Sequence, residues 1–387
     1  MLFAQRFIPD RKLHLFVISY LFFVALRSLF YELMNNKNFT IYLLRWNQES
    51  NHRMMPWKGE SDPYKVWLSE IVLQQTRVEQ GMAYYQNFVL AYPRVEDLAA
   101  AQEDEVMRLW QGLGYYTRAR NLHFTAKDIV ANYGGSFPKT YKDLLVLKGV
   151  GSYTAAAIAS FVFKEKVAVV DGNVIRVLSR HFGIDDAFDI PAGKKIFEEK
   201  ANALIDSDHP DKYNQAIMDF GATVCKPKNP ICSSCPFQES CIAFKENRIG
   251  DLPFKSKRTK IKKRYFLAFL IDTKLGYPIQ KRTQKDIWEA LFELPLVEVP
   301  GFEKGIAQQV SSVFEAFSGI QTYDIEDLSE VYKQKLSHQD IYVVFAKIKP
   351  LADLKLSKEY LYTRNLTKFA FPKIFILYFR SKSLDLY

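Results

Sequence analysis

Two acidic residues lie in segments that are otherwise apolar. Glu70 shares a segment with Val66 and Trp67 in which apolar residues recur with helical spacing, and Asp171 directly follows the apolar residues 167–170. A carboxyl group in such a place is either an ordinary exposed helix residue or a group whose pKa is raised because burial disfavours its charged form. Glu70 is therefore a candidate for acid–base chemistry. Asp171 precedes a Gly-Asn pair and is a candidate helix cap.

A short glycine-containing turn lies between these two acidic residues in the sequence. Gly149 and Gly151 separate the predicted helices 141–147 and 152–163. Two glycines allow backbone N–H groups to approach a ligand closely, and the start of the following helix adds the positive end of its dipole. The turn therefore has the features of a phosphate-binding device. A helical hairpin whose glycines serve only the turn is the alternative.

The four cysteines form a third candidate site. They lie between residues 225 and 241 with the spacing C-x6-C-x2-C-x5-C: Cys225, Cys232, Cys235 and Cys241. Disulfides would normally be spread through a secreted chain, so this clustering indicates a metal or cluster site in a reducing compartment. Four thiolates suit structural zinc or an iron–sulfur cluster. Zinc sites more often contain two Cys-x2-Cys pairs, so the single pair here favours iron–sulfur without excluding zinc.

Helices are predicted throughout the part of the chain that contains these residues. Asp62 and Pro63 supply an N-cap and a first-turn proline for the helix that contains Glu70. Further helical patterns occupy residues 39–46, 78–90, 104–110 and 119–133, the last ending at a Gly-Gly pair. No strand-like alternation occurs before residue 260, so residues 37–245 are predicted to form an all-α domain.

The composition changes after residue 245. Strands are predicted at 265–271, 278–281, 291–299 and 341–348, and helices near 303–317 and 366–379, which indicates a separate α+β domain over residues 264–387. The linker 246–263 and the residue after it are rich in basic side chains, namely Lys255, Lys257, Arg258, Lys260, Lys262, Lys263 and Arg264. We expect this run to follow a phosphate backbone, with a merely solubilising linker as the alternative.

The overall charge is consistent with a polyanionic partner. The chain has 387 residues, a net charge of +10 and a pI of about 9.1, and 48% of its residues are hydrophobic. Its length predicts two or three domains. Its charge favours nucleic acid or an acidic membrane surface over an uncharged partner.

Residues 1–36 are set apart by an apolar core at 13–26 with basic flanks. This core is short for a membrane span, and no small-residue cleavage site of a signal peptide follows it. We expect a dispensable leader, or an initiation upstream of a true start at Met34. A signal, a membrane anchor and a packed helix are the alternatives.

Taken together, the motifs resemble the MutY family of adenine DNA glycosylases, within the helix–hairpin–helix superfamily that also contains endonuclease III. The resemblance extends from about Asn38 to the C-terminus, about nine-tenths of the chain. It is carried by Pro56-Trp57, the segments 62–70, 74–76, 112–116 and 149–151, Asp171-Gly-Asn-Val, the segment 214–221 and the four cysteines.

The resemblance implies removal of adenine mispaired with 8-oxoguanine or guanine in duplex DNA. Glu70 would protonate adenine at N7. Asp171 would stay ionised beside the sugar cation, as an electrostatic partner or a nucleophile. Tyr153 and Asn173 match the family's supporting residues. Tyr153 also occupies the place of the Schiff-base lysine of endonuclease III-like enzymes, which implies base removal without an efficient lyase step.

The resemblance also implies a set of substrate contacts. Gln75 and Tyr115 match residues that wedge into the duplex where the base is flipped out. The remaining DNA contacts would come from Gln74, Thr76, Lys148, Gly149 and Gly151. The adenine pocket would contain Arg53, Trp57 and Gln215. The cysteines would hold a 4Fe–4S cluster.

The C-terminal domain resembles the MutT-like (Nudix) domain of the family. A Nudix hydrolase needs a run of glutamates and an arginine that bind magnesium, and no such box occurs between Gly276 and Val299. Ser337 and His338 match the loop that reads 8-oxoguanine, although Leu336 replaces the usual phenylalanine. The domain is therefore expected to recognise the lesion without hydrolysing nucleotides.

The resemblance further implies a cytoplasmic, bacterial-type monomer associated with the nucleoid and without a stable membrane association. One alternative is an endonuclease III-like glycosylase that acts on another base. A thymine or uracil glycosylase would be marked by tyrosine in place of Glu70. The other alternative is a DNA-binding module without catalysis, and the presence of both carboxyl residues opposes it.

Overall fold

A computed structural model describes residues 35–76, 78–256, 261–352, 354, 356–357 and 359–384. The apolar core of the predicted leader and three basic residues of the predicted linker, Lys257, Arg258 and Lys260, lie outside these described residues. Within the described ranges, no helix is both long enough and apolar enough to cross a membrane.

The chain is helical up to the linker. The helices are α1 (35–49), α2 (Pro63–Leu73), α3 (Val78–Ala91), α4 (Val95–Ala100), α5 (Glu103–Leu109), α6 (Thr117–Tyr133), α7 (Tyr141–Leu144), α8 (Ser152–Phe161), α9 (Gly172–Phe182), α10 (Pro191–Leu204), α11 (Pro210–Thr223) and α12 (Ile242–Lys245). The prediction of helices without strands is confirmed for the described residues before Lys262. The helices α4, α10, α11 and α12 were not predicted individually.

Two compact units divide the chain. The first contains the described residues 35–61, 139–142 and 152–256, and the second contains 62–138, 143–151 and 261–384. The core of the first unit joins α1, α9, α10 and α11, and Phe39 of α1 stacks on Phe237 with ring centroids 4.8 Å apart.

The second unit combines the helices α2 to α6 with a mixed β region. Its strands are β1 (Lys262–Ile271), β2 (Tyr277–Lys281), β3 (Phe292–Glu293), β4 (Leu296–Val299), β5 (Tyr323–Leu328), β6 (Tyr332–Lys335), β7 (Gln339–Pro350) and β8 (Leu361–Thr363). The larger sheet has the order β4-β1-β7-β5, with β6 also paired to β7, and the smaller has the order β3-β2-β8. The pair β1 and β7 is parallel, and the other pairs are antiparallel.

Two helices accompany these strands, α13 (Ile306–Ser318) and α14 (Lys373–Ser381). Val310 and Phe314 of α13 pack in a buried cluster with the residues of β1 and β7. Two predicted elements are interrupted by proline. Pro295 separates β3 from β4 within the predicted strand 291–299, and Pro372 separates a short 3₁₀ turn from α14 within the predicted helix 366–379. Proline lacks an N–H and its ring blocks regular continuation.

The prediction that Arg264 contacts a phosphate backbone is wrong. The strand β1 begins at Lys262, and Arg264 is the first of its buried residues, with a side chain that is only 8% exposed. Both oxygens of Glu298 accept hydrogen bonds from its guanidinium, at 2.8 and 2.6 Å. These bonds lower the pKa of Glu298. Arg264 is therefore an internal structural cation.

Candidate functional site

Glu70 lies on α2, whose start follows from its sequence. The carboxylate of Asp62 accepts a hydrogen bond from the backbone N–H of Tyr64 at 2.9 Å, and Pro63 occupies the first turn. The helix buries Glu70 to 6% exposure together with the apolar residues around it. The alternative of an exposed helix residue is therefore wrong, because Glu70 is buried on α2.

Asp171 is the N-cap of α9, as predicted. Its Oδ1 accepts a hydrogen bond from the N–H of Val174 at 2.7 Å, and its Oδ2 accepts one from the amide of Asn173 at 2.7 Å. Burial raises the pKa of Asp171, whereas these hydrogen bonds act in the opposite direction and favour the carboxylate. The hydrogen bonds therefore help to keep a half-buried carboxyl group charged.

Arg176 orients Asn173 towards Asp171. One Nη of its guanidinium donates to Oδ1 of Asn173 at 2.8 Å and to the carbonyl of Gly221 at 2.7 Å. Because its oxygen is engaged by Arg176, the Asn173 amide presents its NH₂ to Asp171. A Cβ on Gly221 would lie 2.7 Å from the Cβ of Asn173, so this glycine permits the close approach of α11.

A second buried carboxylate organises the loop before α2. The side chain of Asp219 on α11 has no exposed surface. It accepts hydrogen bonds from Arg53 at 2.8 Å, from Asn51 at 2.9 Å and from Lys58 at 3.1 Å. Two cations facing one carboxylate leave a local excess of positive charge at the predicted adenine-pocket residue Arg53.

The remaining predicted residues of the first unit take different positions. Trp57 is buried in the turn before α2. Gln215 is half-buried on α11. Tyr153 is half-buried on α8 and packs against a small cluster that includes Ala156 and Val169.

The predicted wedge residues of the second unit lie in two turns. Gln75 and Tyr115 are both exposed, and both have left-handed backbone conformations, with φ of 55° and 49°. Such values are uncommon for residues other than glycine. Gln74 caps the end of α2, and the N–H of Thr76 donates to the carbonyl of Leu73 at 3.0 Å. Gln75 thus lies on the turn directly after α2, whereas Tyr115 lies on the turn between α5 and α6, close to the start of α6.

The glycine turn also belongs to the second unit, up to Gly151. Gly149 has φ of 78°, and a Cβ at this position would lie 2.7 Å from the Cβ of Asn121. Gly149 is therefore required by the backbone and by close packing, whereas Gly151 has no neighbouring atom within 4 Å of such a Cβ. The Lys148 ammonium lies 4.1 Å from the centroid of the Phe124 ring.

A cavity of about 1170 Å³ brings together residues that are far apart in the sequence of the second unit. Tyr115 and Lys148 line it, and so do Ser337 and His338 from the turn between β6 and β7. The same cavity is lined by the basic residues Arg120, Lys127, Lys285, Lys333, Lys335 and Lys373. It therefore brings the predicted wedge residue Tyr115, Lys148 and the predicted lesion-reading loop to one largely basic surface.

Ion pairs join the helices to the β region within this unit. Arg120 of α6 donates to the carboxylate of Glu289 at 2.6 Å and also to its backbone carbonyl. Lys281 of β2 donates to Asp104 of α5 at 2.6 Å.

The four cysteines occupy one loop of the first unit and are not joined by disulfides. All four line one small cavity. Among the described residues, no three His, Cys, Asp or Glu side chains are grouped closely around a single point as ligands of one ion would be. Arg180 of α9 donates to the carbonyl of Lys226 at 2.8 Å, and its Nη1 lies 3.7 Å from Sγ of Cys225. Four half-buried thiols beside a fixed guanidinium form a donor set that suits thiolate-bound iron.

The two predicted catalytic carboxyl groups belong to different units, Glu70 to the second and Asp171 to the first. The sequence reasoning missed Arg118, Arg176 and Asp219. Asp219 and Gly221 lie inside the segment 214–221 that carries the family resemblance, and this was the only feature of the sequence that pointed to them. The contacts of these residues join positions that are more than 40 residues apart, and periodicity carries no information about such pairs.

Comparison with known proteins identifies similar chains. A family model described as "HhH-GPD superfamily base excision DNA repair protein" matches residues 68–206. The chain is 38% identical over 261 residues to the adenine DNA glycosylase of Buchnera aphidicola subsp. Schizaphis graminum, covering 66% of this chain and 74% of the relative. It is 33% identical over 302 residues to that of subsp. Baizongia pistaciae, covering 78% and 83%. The solved structure of a thermostable thymine-DNA glycosylase is similar with a TM-score of 0.51 and 30% identity, covering 55% of this chain and 97% of that one.

Replacing Asp219 with asparagine is expected to loosen the loop 51–58. The buried carboxylate would be lost, and Arg53 and Lys58 would face each other without it, so we expect a loss of about 1–3 kcal/mol in the free energy of unfolding. Hydrogen exchange of the loop amides should become faster. Asp211→Asn, which removes a carboxylate near the start of the same helix, is the matched control. Equal exchange rates in the loop for both variants would contradict the role of Asp219.

Proposed function

This chain belongs to the adenine DNA glycosylase family of base excision repair, and from that premise we propose how its residues divide the reaction. The substrate we propose is adenine opposite 8-oxoguanine or guanine in duplex DNA. The observation that carries the proposal is a pair of carboxyl groups in contrasting environments. Glu70 is buried on an apolar helix, whereas Asp171 is held by hydrogen-bond donors at a helix cap.

Glu70 acts as the general acid. Adenine is a poor leaving group until a ring nitrogen is protonated, so cleavage of the bond between C1′ and N9 needs a proton donor placed at N7. Burial of Glu70 at 6% exposure excludes water that would compete for this proton. A carboxyl group on a helix packed on several sides is also held in a fixed position relative to the base.

Asp171 stabilises the sugar as the base departs. Positive charge develops on C1′ and the ring oxygen, and a carboxylate beside them lowers the energy of this state or bonds to C1′. Water then adds to C1′ in place of the base, and its proton restores the acid form of Glu70. The hydrogen bonds from Val174 and Asn173 favour the charged form that this role requires. Arg176 contributes indirectly, because it fixes the orientation of the Asn173 amide that donates to Asp171.

The adenine pocket is formed by Arg53, Trp57 and Gln215, with Tyr153 as a supporting residue. Buried Trp57 offers an aromatic surface, and the amide of Gln215 can both donate to and accept from the edge of a base. Because tyrosine has no amine, Tyr153 cannot form a Schiff base with the sugar. The enzyme therefore removes the base and leaves the strand uncut.

The second unit binds the duplex. An enzyme that acts on a base must extrude it from the stack, and the exposed side chains of Gln75 and Tyr115 fill the gap. Gln74 and Thr76 flank the first of these turns. Lys148 and the backbone N–H groups near Gly149 and Gly151 hold a phosphate of the same duplex.

The C-terminal β region reads the base opposite adenine. Ser337 and His338 are exposed in the turn between β6 and β7, and their side chains approach to 3.3 Å. Both line the basic cavity that also contains Tyr115. This shared cavity supports a MutT-like domain that has kept base recognition and uses it on 8-oxoguanine within DNA.

Cys225, Cys232, Cys235 and Cys241 hold a 4Fe–4S cluster. When bound, the cluster supplies a covalent link between the ends of the loop and a centre able to exchange electrons. Arg180 supports the loop from α9, since its guanidinium donates to the carbonyls of Lys226 and Leu252.

Glu70→Gln is expected to reduce adenine release from a duplex containing adenine opposite 8-oxoguanine by about 10²- to 10⁴-fold, the usual contribution of a general acid. Binding of the same duplex should be unchanged, because glutamine keeps the size and polarity of the side chain. The rate of release is measured under single-turnover conditions from the strand breaks that alkali produces where adenine has been removed. Glu79→Gln, at the exposed start of α3, is the matched control. Release at the wild-type rate would refute the assignment of Glu70.

The purified protein is expected to show the broad visible absorption of an iron–sulfur cluster and to contain iron and acid-labile sulfide in equal amounts. Cys232→Ser should lose both, because one ligand of the cluster is removed. Ser234→Ala in the same loop should retain both and serves as the control. A colourless protein that contains zinc would show that the assignment to iron is wrong.

A further inference from the structure

Arg118 lies in the first turn of α6 and spans two loops of the second unit. Its Nη1 donates to the backbone carbonyls of Gln74 at 2.6 Å, Ile71 at 2.7 Å and Val72 at 3.2 Å. Its Nη2 lies 3.4 Å from the carbonyl of Gly114. One side chain therefore reaches both the end of the helix that contains Glu70 and the turn that contains Tyr115.

The acceptors explain why an arginine occupies this position. The last carbonyls of an α-helix have no partner within the helix, and they form the negative end of its dipole. The last turn of α2 contains no basic residue of its own. Arg118 supplies the missing donors and a complementary charge, and its planar fork serves several acceptors at once.

Aromatic rings hold the guanidinium in place. Its central carbon lies 5.2 Å from the centroid of the Trp110 ring and 5.3 Å from that of Tyr115. Nε1 of Trp110 donates to the same Gly114 carbonyl at 3.0 Å. Burial lowers the pKa of Arg118 to about 10, which leaves the side chain charged at neutral pH.

Both loops that Arg118 contacts contain a residue in a disfavoured conformation. Gln75, directly after the acceptor Gln74, has φ of 55°, and Tyr115, directly after the acceptor Gly114, has φ of 49°. Non-glycine residues keep such conformations only when the surrounding structure imposes them. Arg118 contacts the residue before each of them and packs on the ring of Tyr115 itself.

We propose that Arg118 is a positioning residue that locks the turns of Gln75 and Tyr115 to each other and to the end of α2, so that they enter the duplex as one rigid wedge. The inference rests on the proposed function, in which these two residues fill the gap left by the flipped adenine. Arg118 directs its donors to backbone carbonyls, so its effect on DNA passes through the two turns.

The test compares two variants. Arg118→Met keeps the apolar stem of the side chain and removes its charge and its hydrogen-bond donors. Arg118→Lys keeps the charge but has fewer hydrogen-bond donors. Arg108→Met, at an exposed site on α5, is the control. Extrusion is followed by the fluorescence of 2-aminopurine in place of the target adenine. Adenine release is measured opposite 8-oxoguanine and opposite an abasic site, where no pair has to be broken.

Arg118→Met should reduce the rate of adenine release opposite 8-oxoguanine on the order of 10- to 100-fold, and the fluorescence rise should be smaller than in the wild type. Opposite the abasic site, the rate of release should fall clearly less. Arg118→Lys should recover part of the loss, and it carries the test alone if the methionine variant does not fold. Equal losses on both duplexes, or an unchanged fluorescence rise, would overturn the positioning role. If the wild-type protein itself gives no fluorescence rise, the proposed wedge function fails instead.

Discussion

The proposed chemistry depends on keeping the half-buried carboxyl group of Asp171 charged. Burial raises the pKa of this carboxyl group, whereas the hydrogen bonds that it accepts and the nearby charge of Arg176 oppose that effect. The local structure provides these donors in a defined order. The backbone N–H of Val174, in the first turn of α9, donates to the carboxylate, and Arg176 orients the Asn173 amide towards it. Gly221 permits the close approach of α11, and the carbonyl of Gly221 accepts a hydrogen bond from Arg176.

Three arginines make a similar contact in different parts of the described chain. Arg118, Arg176 and Arg180 each direct a guanidinium group at backbone carbonyls of a distant segment. A fork of charged donors satisfies several carbonyls at once, so it fixes a loop that has no regular hydrogen bonding of its own. Within its own unit, each arginine thus fixes a neighbouring segment: Arg118 the turns of the proposed wedge residues, Arg176 the end of α11, and Arg180 the start of the cysteine loop.

Much of the frame follows from local sequence, because helix periodicity and caps are short-range properties. Asp62 and Pro63 start α2, Asp171 caps α9 and Gly134 ends α6 as predicted. Local reasoning fails where the outcome depends on strand alternation or distant partners. It assigned Arg264 to a DNA-binding run because neighbouring lysines share its charge, although Arg264 is buried in β1 and paired with Glu298. The contacts of Arg118 and Asp219 had no local signal.

In the proposed reaction, one carboxyl group protonates the base and the other stabilises the sugar. A duplex with 7-methyladenine at the target position tests it directly, because this base already carries a positive charge and leaves without protonation. After subtraction of spontaneous loss, Glu70→Gln should release this base at close to the wild-type rate, whereas Asp171→Asn should remain strongly impaired. Rescue of Asp171→Asn, or failure to rescue Glu70→Gln, would contradict this division of roles.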